Sequence, residues 1–285
     1  MPLRFDLQSH STHSDGALAP AEVVARAAAA GVELLALSDH DTIAGVAEAI
    51  DAGREHGVRV VPAVELSAVD PAGEDLHILG YAFDPSDAGL AEALTDFRAD
   101  RSGRIGRMAD AVRELGWAVD ESVLAGRDAP GRPHLASAVF DHPDNAERLA
   151  REGLGDSTEF LVAYLIPGTP GFRGRTRPTV QEAIAVIHAA GGLAVWAHPY
   201  WDIADDGEVE ACLRRFAAEG IDGVEAFYIT HTEAQTRRLT ALAAELGLLT
   251  TGSADFHGPD HPKFSRFLAF DTCGETPRLD RIAAV

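Results

Sequence analysis

The sequence predicts an α/β barrel that carries a mainly helical insertion. Short apolar runs alternate with helical stretches over residues 1–84 and again over 178–285, the segment between them breaks this rhythm, and nearly every apolar run ends in a histidine or a carboxylate. Alternation of this kind marks βαβ units. Barrels built from such units gather their working groups at the C-terminal ends of the strands.

In order, the first run is Arg4 to Gln8, followed by a helix near Pro20 to Ala30. A second run, Glu33 to Leu37, leads to a helix near Thr42 to His56, and a third run is Val58 to Val64. The fourth, Leu76 to Phe83, precedes a region from Pro85 to Arg177 with helical patterns and a Gly-, Pro- and Arg-rich end; this is read as an inserted subdomain. The alternation resumes with a helix near Val180 to Ala190, a run at Leu193 to Ala197, a helix near Val209 to Glu219 and a run at Gly223 to Tyr228. A helix near Glu233 to Leu246 and a run at Leu248 to Ser253 complete seven βα-type units.

The 285 residues, 46% hydrophobic and 24% charged, suffice for a large core. With no basic segment before an apolar core and no long uncharged apolar run, the expectation is a cytoplasmic protein without a membrane span. Cys212 and Cys273 are too few for a disulfide framework and lack the paired spacing of a thiolate zinc site. Any metal must therefore be held by imidazole and carboxylate. A formal charge of −21 opposes binding to long duplex nucleic acid. A small phosphorylated substrate remains compatible, because bound cations dominate their local field.

The chemistry concentrates where the runs end. The first is followed by Gln8, His10 and Asp15, the second by Asp39 and His40, and the third by Glu65; the fourth carries His77, and later runs lead to His198, Asp255 and His257. A lone histidine is more often a surface or satisfied core residue. Recurrence at equivalent positions points instead to a metal centre of Mn, Fe, Zn or Co, in which a carboxylate such as Glu65 or Asp255 bridges two ions. His13, Glu225 and His231 are weaker candidates, and His56, His142, His188 and His261 fit no pattern. No phosphate-binding Gly-x-x-x-x-Gly-Lys loop and no Gly-x-Ser-x-Gly nucleophile elbow is present.

At these residues the sequence resembles the polymerase and histidinol phosphatase (PHP) family. The matching segments are Asp6-Leu7-Gln8-Ser9-His10-Ser11 with Ser14-Asp15-Gly16, then Ser38-Asp39-His40-Asp41, Pro62-Ala63-Val64-Glu65, His77-Ile78-Leu79-Gly80-Tyr81, Ala197-His198-Pro199 and Asp255-Phe256-His257-Gly258. The resemblance implies a distorted (β/α)7 TIM-like barrel holding two or three divalent ions. His10, Glu65 and Asp255 would hold one ion, with Gln8 as a further ligand; Glu65, His77 and His198 a second; and Asp15, His40 and His257 a third. Glu65, His198 and Asp255 would then carry catalysis.

The long insertion followed by Ala-Gly-Gly and Ala-His-Pro is most similar to the family's small nucleotide phosphoesterases. The implied activity is hydrolysis of a nucleoside 3′,5′-bisphosphate or a short oligonucleotide by attack of metal-bound hydroxide. Gly131-Arg132-Pro133-His134 resembles a phosphate-contacting segment, making Arg132 and His134 candidate substrate ligands. Arg173, Arg175 and Arg177 form a second basic cluster, suited to phosphate by the planar guanidinium fork. Two departures stand out: Gln8 replaces a family histidine, and Thr169 occupies the position of a family lysine. They keep open a catalytically weakened metal-binding regulatory module, while within the enzyme class a histidinol-phosphate-type phosphatase is the alternative, separated only by substrate profiling.

Overall fold

A computed structural model describes residues 3–125 and 131–284. Its first stretch contains β1 (Phe5–Asp6), α1 (Pro20–Ala29), β2 (Leu34–Leu37), α2 (Val46–His56), β3 (Arg59–Asp70) and β4 (Gly73–Tyr81). Five helices follow: α3 (Ala88–Glu114), α4 (Glu121–Leu124), α5 (Arg132–Phe140), α6 (Ala146–Glu152) and α7 (Ser157–Tyr164). The last stretch contains α8 (Val180–Ala189), β5 (Leu193–Trp196), α9 (Pro199–Asp202), α10 (Asp206–Glu219), β6 (Gly223–Tyr228), α11 (Glu233–Leu246) and β7 (Leu249–Ser253).

The seven strands form one sheet in chain order and close into a nearly complete barrel. Leu7 N donates to Gly252 O (3.1 Å) and His10 N to Phe256 O (2.8 Å), so the first and last runs lie side by side. β2 is buried at all four residues, as expected of a strand with the barrel interior on one face and helices on the other. Outside it, Val23, Val24 and Ala27 of α1 pack with Ala49 and Ala52 of α2, Leu35, Leu37 and Phe256. α2 ends at Gly57, whose φ of 71° favours glycine. The helix starts at Val46 rather than at the expected Thr42, because Asp41 is left-handed (φ 54°) and Thr42 Oγ1 instead accepts Ala44 N in a turn.

One expectation is corrected. The fourth run is not the end of another parallel unit, because β4 pairs antiparallel with both β3 and β5. Only residues 71 and 72 separate β3 from β4, and a turn that short can join strands only in opposite directions. β3 also runs on to Asp70, past the Val64 expected from its apolar residues, through Glu65 and Ser67.

Two compact units result, residues 1–94 with 178–285 and residues 95–177, so the division falls within α3 rather than at residue 84. The second unit is helical and has its own core of Met108, Val112, Trp117, Leu135, Val139, Phe160 and Leu165. Residues 126–130 of the expected insertion lie outside the described residues. No described helix is long and apolar enough to cross a membrane.

Candidate metal centre

Glu65 is the hub of a cluster in the barrel unit. Its carboxylate is fully buried, and each oxygen faces imidazole nitrogens. Oε1 lies 2.6 Å from His77 Nδ1 and 3.2 Å from His198 Nε2. Oε2 lies 3.1 Å from His10 Nε2 and 3.6 Å from His40 Nδ1. His10 Nε2 is also 3.0 Å from Asp255 Oδ1. On the outer side, Asp15 reaches His257 Nε2 at 3.4 Å and both His10 Nδ1 and His40 Nε2 at 3.6 Å. The structure thus brings together three overlapping donor sets: His10, Asp15, His40 and His257; His40, Glu65 and His77; and His10, Glu65 and Asp255. His198 joins the second set through Glu65 Oε1 and through His77 Nδ1 at 3.3 Å.

Backbone geometry puts these side chains there. Because β4 runs opposite to its neighbours, its first half lies at the site, with His77 opposite Ser67 of β3 and its carbonyl accepting Ala197 N (2.9 Å) just before His198. His198 (φ 26°) and Asp255 (φ 54°) both adopt left-handed backbone, a conformation costly outside glycine that surrounding bonds must hold. Those bonds are present. Glu225 Oε2 accepts His198 N (3.0 Å), Tyr228 Oη donates to Asp255 Oδ2 (2.8 Å), and Asp6 accepts Ala254 N (2.9 Å) and Leu268 N (2.8 Å). Gly16 permits the hairpin that carries Asp15, since a Cβ there would stand 2.3 Å from His10 O.

Asp39, a possible ligand by its place at the end of a run, does other work. It accepts Ser11 N (2.7 Å), Ser11 Oγ (2.6 Å) and Ser14 Oγ (2.6 Å), tying down the loop between His10 and Asp15. Gln8 turns its amide nitrogen toward Glu65 Oε2 (2.9 Å) and its oxygen toward Ser253 Oγ (3.3 Å). An ionised carboxylate only accepts hydrogen bonds, so Glu65 selects the donor end of Gln8. The residue therefore presents nitrogen, not the ligand oxygen expected of it.

Electrostatics follow from burial and proximity. Burial works against charge on His10, yet the adjacent carboxylates of Asp255 and Glu65 hold its pKa well above the usual value. His198 behaves alike: burial is overcome by Glu65, and its pKa rises to about 9. Burial would raise Glu65, but the neighbouring His40 and His77, the adjacent His10 and the hydrogen bond with His198 hold it well below the carboxylate range. His40 falls to about 4, chiefly through burial. Burial lifts Glu225 to about 8. Ser253 Oγ donates to its Oε1 (2.6 Å).

The residues fit divalent ions. His10 Nε2, His40 Nδ1 and Asp255 Oδ1 are buried and lack a hydrogen bond, although each lies within 3.6 Å of an oppositely chargeable atom. Buried polar atoms are normally satisfied, and lone pairs converging without hydrogen-bond geometry suit a shared cation. The mixed nitrogen and oxygen donors match first-row divalent metals better than calcium.

The expected substrate ligands belong to the second unit. Arg132 opens α5, and His134 Nδ1 accepts Gly131 N (2.9 Å), capping that helix. Arg175 is buried, and the exposed Arg177 lies 5.9 Å from the Phe97 ring. In the barrel unit, the weaker candidate His13 is exposed, whereas Glu225 supports His198 as described. Tyr228 was not singled out from the sequence, where its position at the end of an apolar run was the available signal; Ser253, in the Gly252-Ser253 turn before Asp255, was legible as a residue that positions that ligand.

Comparison with known proteins agrees with this geometry. Residues 6–120 match the PHP domain family. The chain is 34% identical to a 5′-3′ exoribonuclease of Haemophilus influenzae over 91% of its own length and 92% of the relative's. It is 33% identical to a 3′,5′-nucleoside bisphosphate phosphatase of Chromobacterium violaceum, over 90% and 87% respectively. An amidohydrolase structure from C. violaceum, solved with bound sulfate and no metal, superposes with a TM-score of 0.76 at 29% identity, covering 99% of this chain and 96% of that one. With a barrel ending in clustered imidazoles and carboxylates, and relatives of this similarity along nearly its full length, the chain belongs to the PHP domain family and is a phosphoester hydrolase.

Proposed function

We propose that the enzyme hydrolyses a phosphate ester of a small nucleotide, such as a nucleoside 3′,5′-bisphosphate, or of a short oligonucleotide, with water as nucleophile and two or three Mn, Fe or Zn ions at the centre. The observation that carries this reading is Glu65, a buried carboxylate whose two oxygens are shared among His10, His40, His77 and His198. The substrate class is supported by the relatives, named for a nucleoside bisphosphate and for RNA. Bound ions would lower the pKa of water and neutralise charge on the phosphoryl oxygens.

The protein's own residues fix the geometry. Glu65, His198 and Asp255 form the catalytic core of the donor set, with His10, Asp15, His40, His77 and His257 completing it. Gln8 restrains Glu65 Oε2, Tyr228 restrains Asp255, and Glu225 restrains the backbone at His198. Such supporting bonds orient ligands and tune their basicity. Arg132, His134, Arg175 and Arg177 are proposed to contact the substrate's phosphates. A nucleotide substrate of this kind supports a cytoplasmic location.

The test is a hydrolysis panel on purified, metal-analysed protein, before and after chelation and metal restoration. Nucleoside 3′,5′-bisphosphates or short 5′-phosphorylated RNA should exceed mononucleotides and histidinol phosphate in kcat/KM, and chelation should abolish turnover. Undiminished turnover in the chelated protein would overturn the metal centre. Preference for histidinol phosphate would overturn the nucleotide assignment.

A further inference from the structure

Beside the centre lies an aromatic shelf that the donor set does not use. Trp201 is 47% exposed, whereas Trp117 and Trp196 are buried. It sits on α9, the single turn of helix that begins immediately after His198, and its backbone N donates to His198 O (2.8 Å). Its ring meets Phe264 at 5.6 Å and Tyr228 at 6.5 Å between centroids. Those two rings lead straight to the centre, since Phe264 lies 5.4 Å from the His257 ring and Tyr228 Oη bonds Asp255. The exposed indole therefore borders His198, Asp255 and His257 through one intervening group each.

Over the indole stands Lys263, with Nζ 4.7 Å from the ring centroid. It is the only lysine in the chain, the other 23 of its 24 basic residues being arginine. Its side chain is exposed, and among the described residues its ammonium makes no ion pair; its polar neighbourhood is the faces of Trp201 and Phe264. In a chain of net charge −21 it is an exposed cation beside an exposed ring. A large exposed apolar ring is costly to leave in water, and an ammonium at its face adds attraction for anions. An aromatic surface joined to a cation is the combination that binds a nucleobase attached to a phosphate.

Resting on the nucleotide reading above, we infer that this shelf takes the nucleoside portion of the substrate. Trp201 stacks on the nucleobase, and Lys263 pairs with the phosphate that is not cleaved. The shelf thereby sets preference for nucleotides over simple phosphate monoesters.

The experiment compares adenosine 3′,5′-bisphosphate with glycerol 2-phosphate, which has no aromatic ring, on the metal-loaded enzyme and its Trp201→Ala, Trp201→Phe and Lys263→Met variants. Trp201→Ala should lower kcat/KM for the bisphosphate about 5- to 150-fold, the range of base–aromatic stacking, mainly through KM. Its effect on glycerol 2-phosphate should stay within about twofold, and Trp201→Phe should recover most of the loss. Lys263→Met should weaken the bisphosphate more than adenosine 5′-monophosphate. Because the other two tryptophans are buried, bisphosphate titration should quench fluorescence in the unmodified protein and not in Trp201→Phe. A preference for the bisphosphate that survives Trp201→Ala, or quenching that persists in Trp201→Phe, overturns the shelf and leaves the nucleotide reading standing. Absence of any bisphosphate preference in the unmodified enzyme overturns both.

Discussion

The inner and outer halves of the centre use the same residue types in different surroundings. Glu65 and His10 have no exposed side-chain surface, whereas the Asp15 side chain is 55% exposed. At Glu65 and His10 charge is removed from water and must be satisfied by a partner, since an unpaired buried charge is far more costly than a missing surface pair. Around Asp15 burial also opposes ionisation, but His257, His40 and His10 hold the carboxyl far below its usual range and solvent screens the cluster. The inner half is therefore an interlocked unit, and the outer half an attachment to it.

The sharpest way to break this comparison is a pair of variants. Glu65→Gln should lower kcat by several orders of magnitude and strip most bound metal, because one change removes ligand charge from two donor sets. Asp15→Asn should reduce affinity for a single ion by about 10- to 100-fold and leave the others in place. Metal analysis alongside turnover decides; equal losses in the two variants would show that the halves are not distinct. A smaller effect is expected at Gln8. Supplying an imidazole in place of its amide, Gln8→His should raise metal content toward three ions per chain, and three tightly held ions in the unmodified protein would contradict this.

The smallest effect concerns pH. His198 has a folded-state pKa of about 9, above its ordinary 6.5, so its proton stabilises the fold fully below pH 6.5 and that contribution is lost as pH rises through about 9. In the chelated protein Tm should fall across this window, while in the metal-loaded protein, where His198 would serve as a neutral ligand, it should fall less. A flat profile after chelation would mean that His198 is not held protonated by Glu65.

The donor residues other than His77 were legible in the sequence because each ends or follows an apolar run, and a barrel gathers such ends at one rim; His77 lies inside its run and reaches the same rim because β4 is antiparallel. The direction of β4 was not legible, because an apolar run carries no polarity; only the two-residue turn before it does, and Glu65 and Ser67 disguised that part of β3 as loop. Nor were the partners of the supports legible. Asp39, Tyr228 and Ser253 act through partners 25 to 245 positions away, as in Ser253 to Gln8 and Tyr228 to Asp255, and no local spacing marks such a bond. Gln8 was visible as a departure, but which end of its amide faces inward depends on Glu65.

The seam between the first and last strands has a consequence for how the molecule acquires activity. His10 and Asp15 stand near one side of that seam and Asp255 and His257 on the other, while Asp6 clasps Ala254 and Leu268 across it. These contacts span more than two hundred residues of chain, so they belong to the late, entropically expensive part of folding. A barrel still open at the seam presents only fragments of each donor set. Ions that bound the closed form alone would draw the equilibrium toward closure by mass action, so that metal occupancy and completion of the ring would be two readings of one equilibrium.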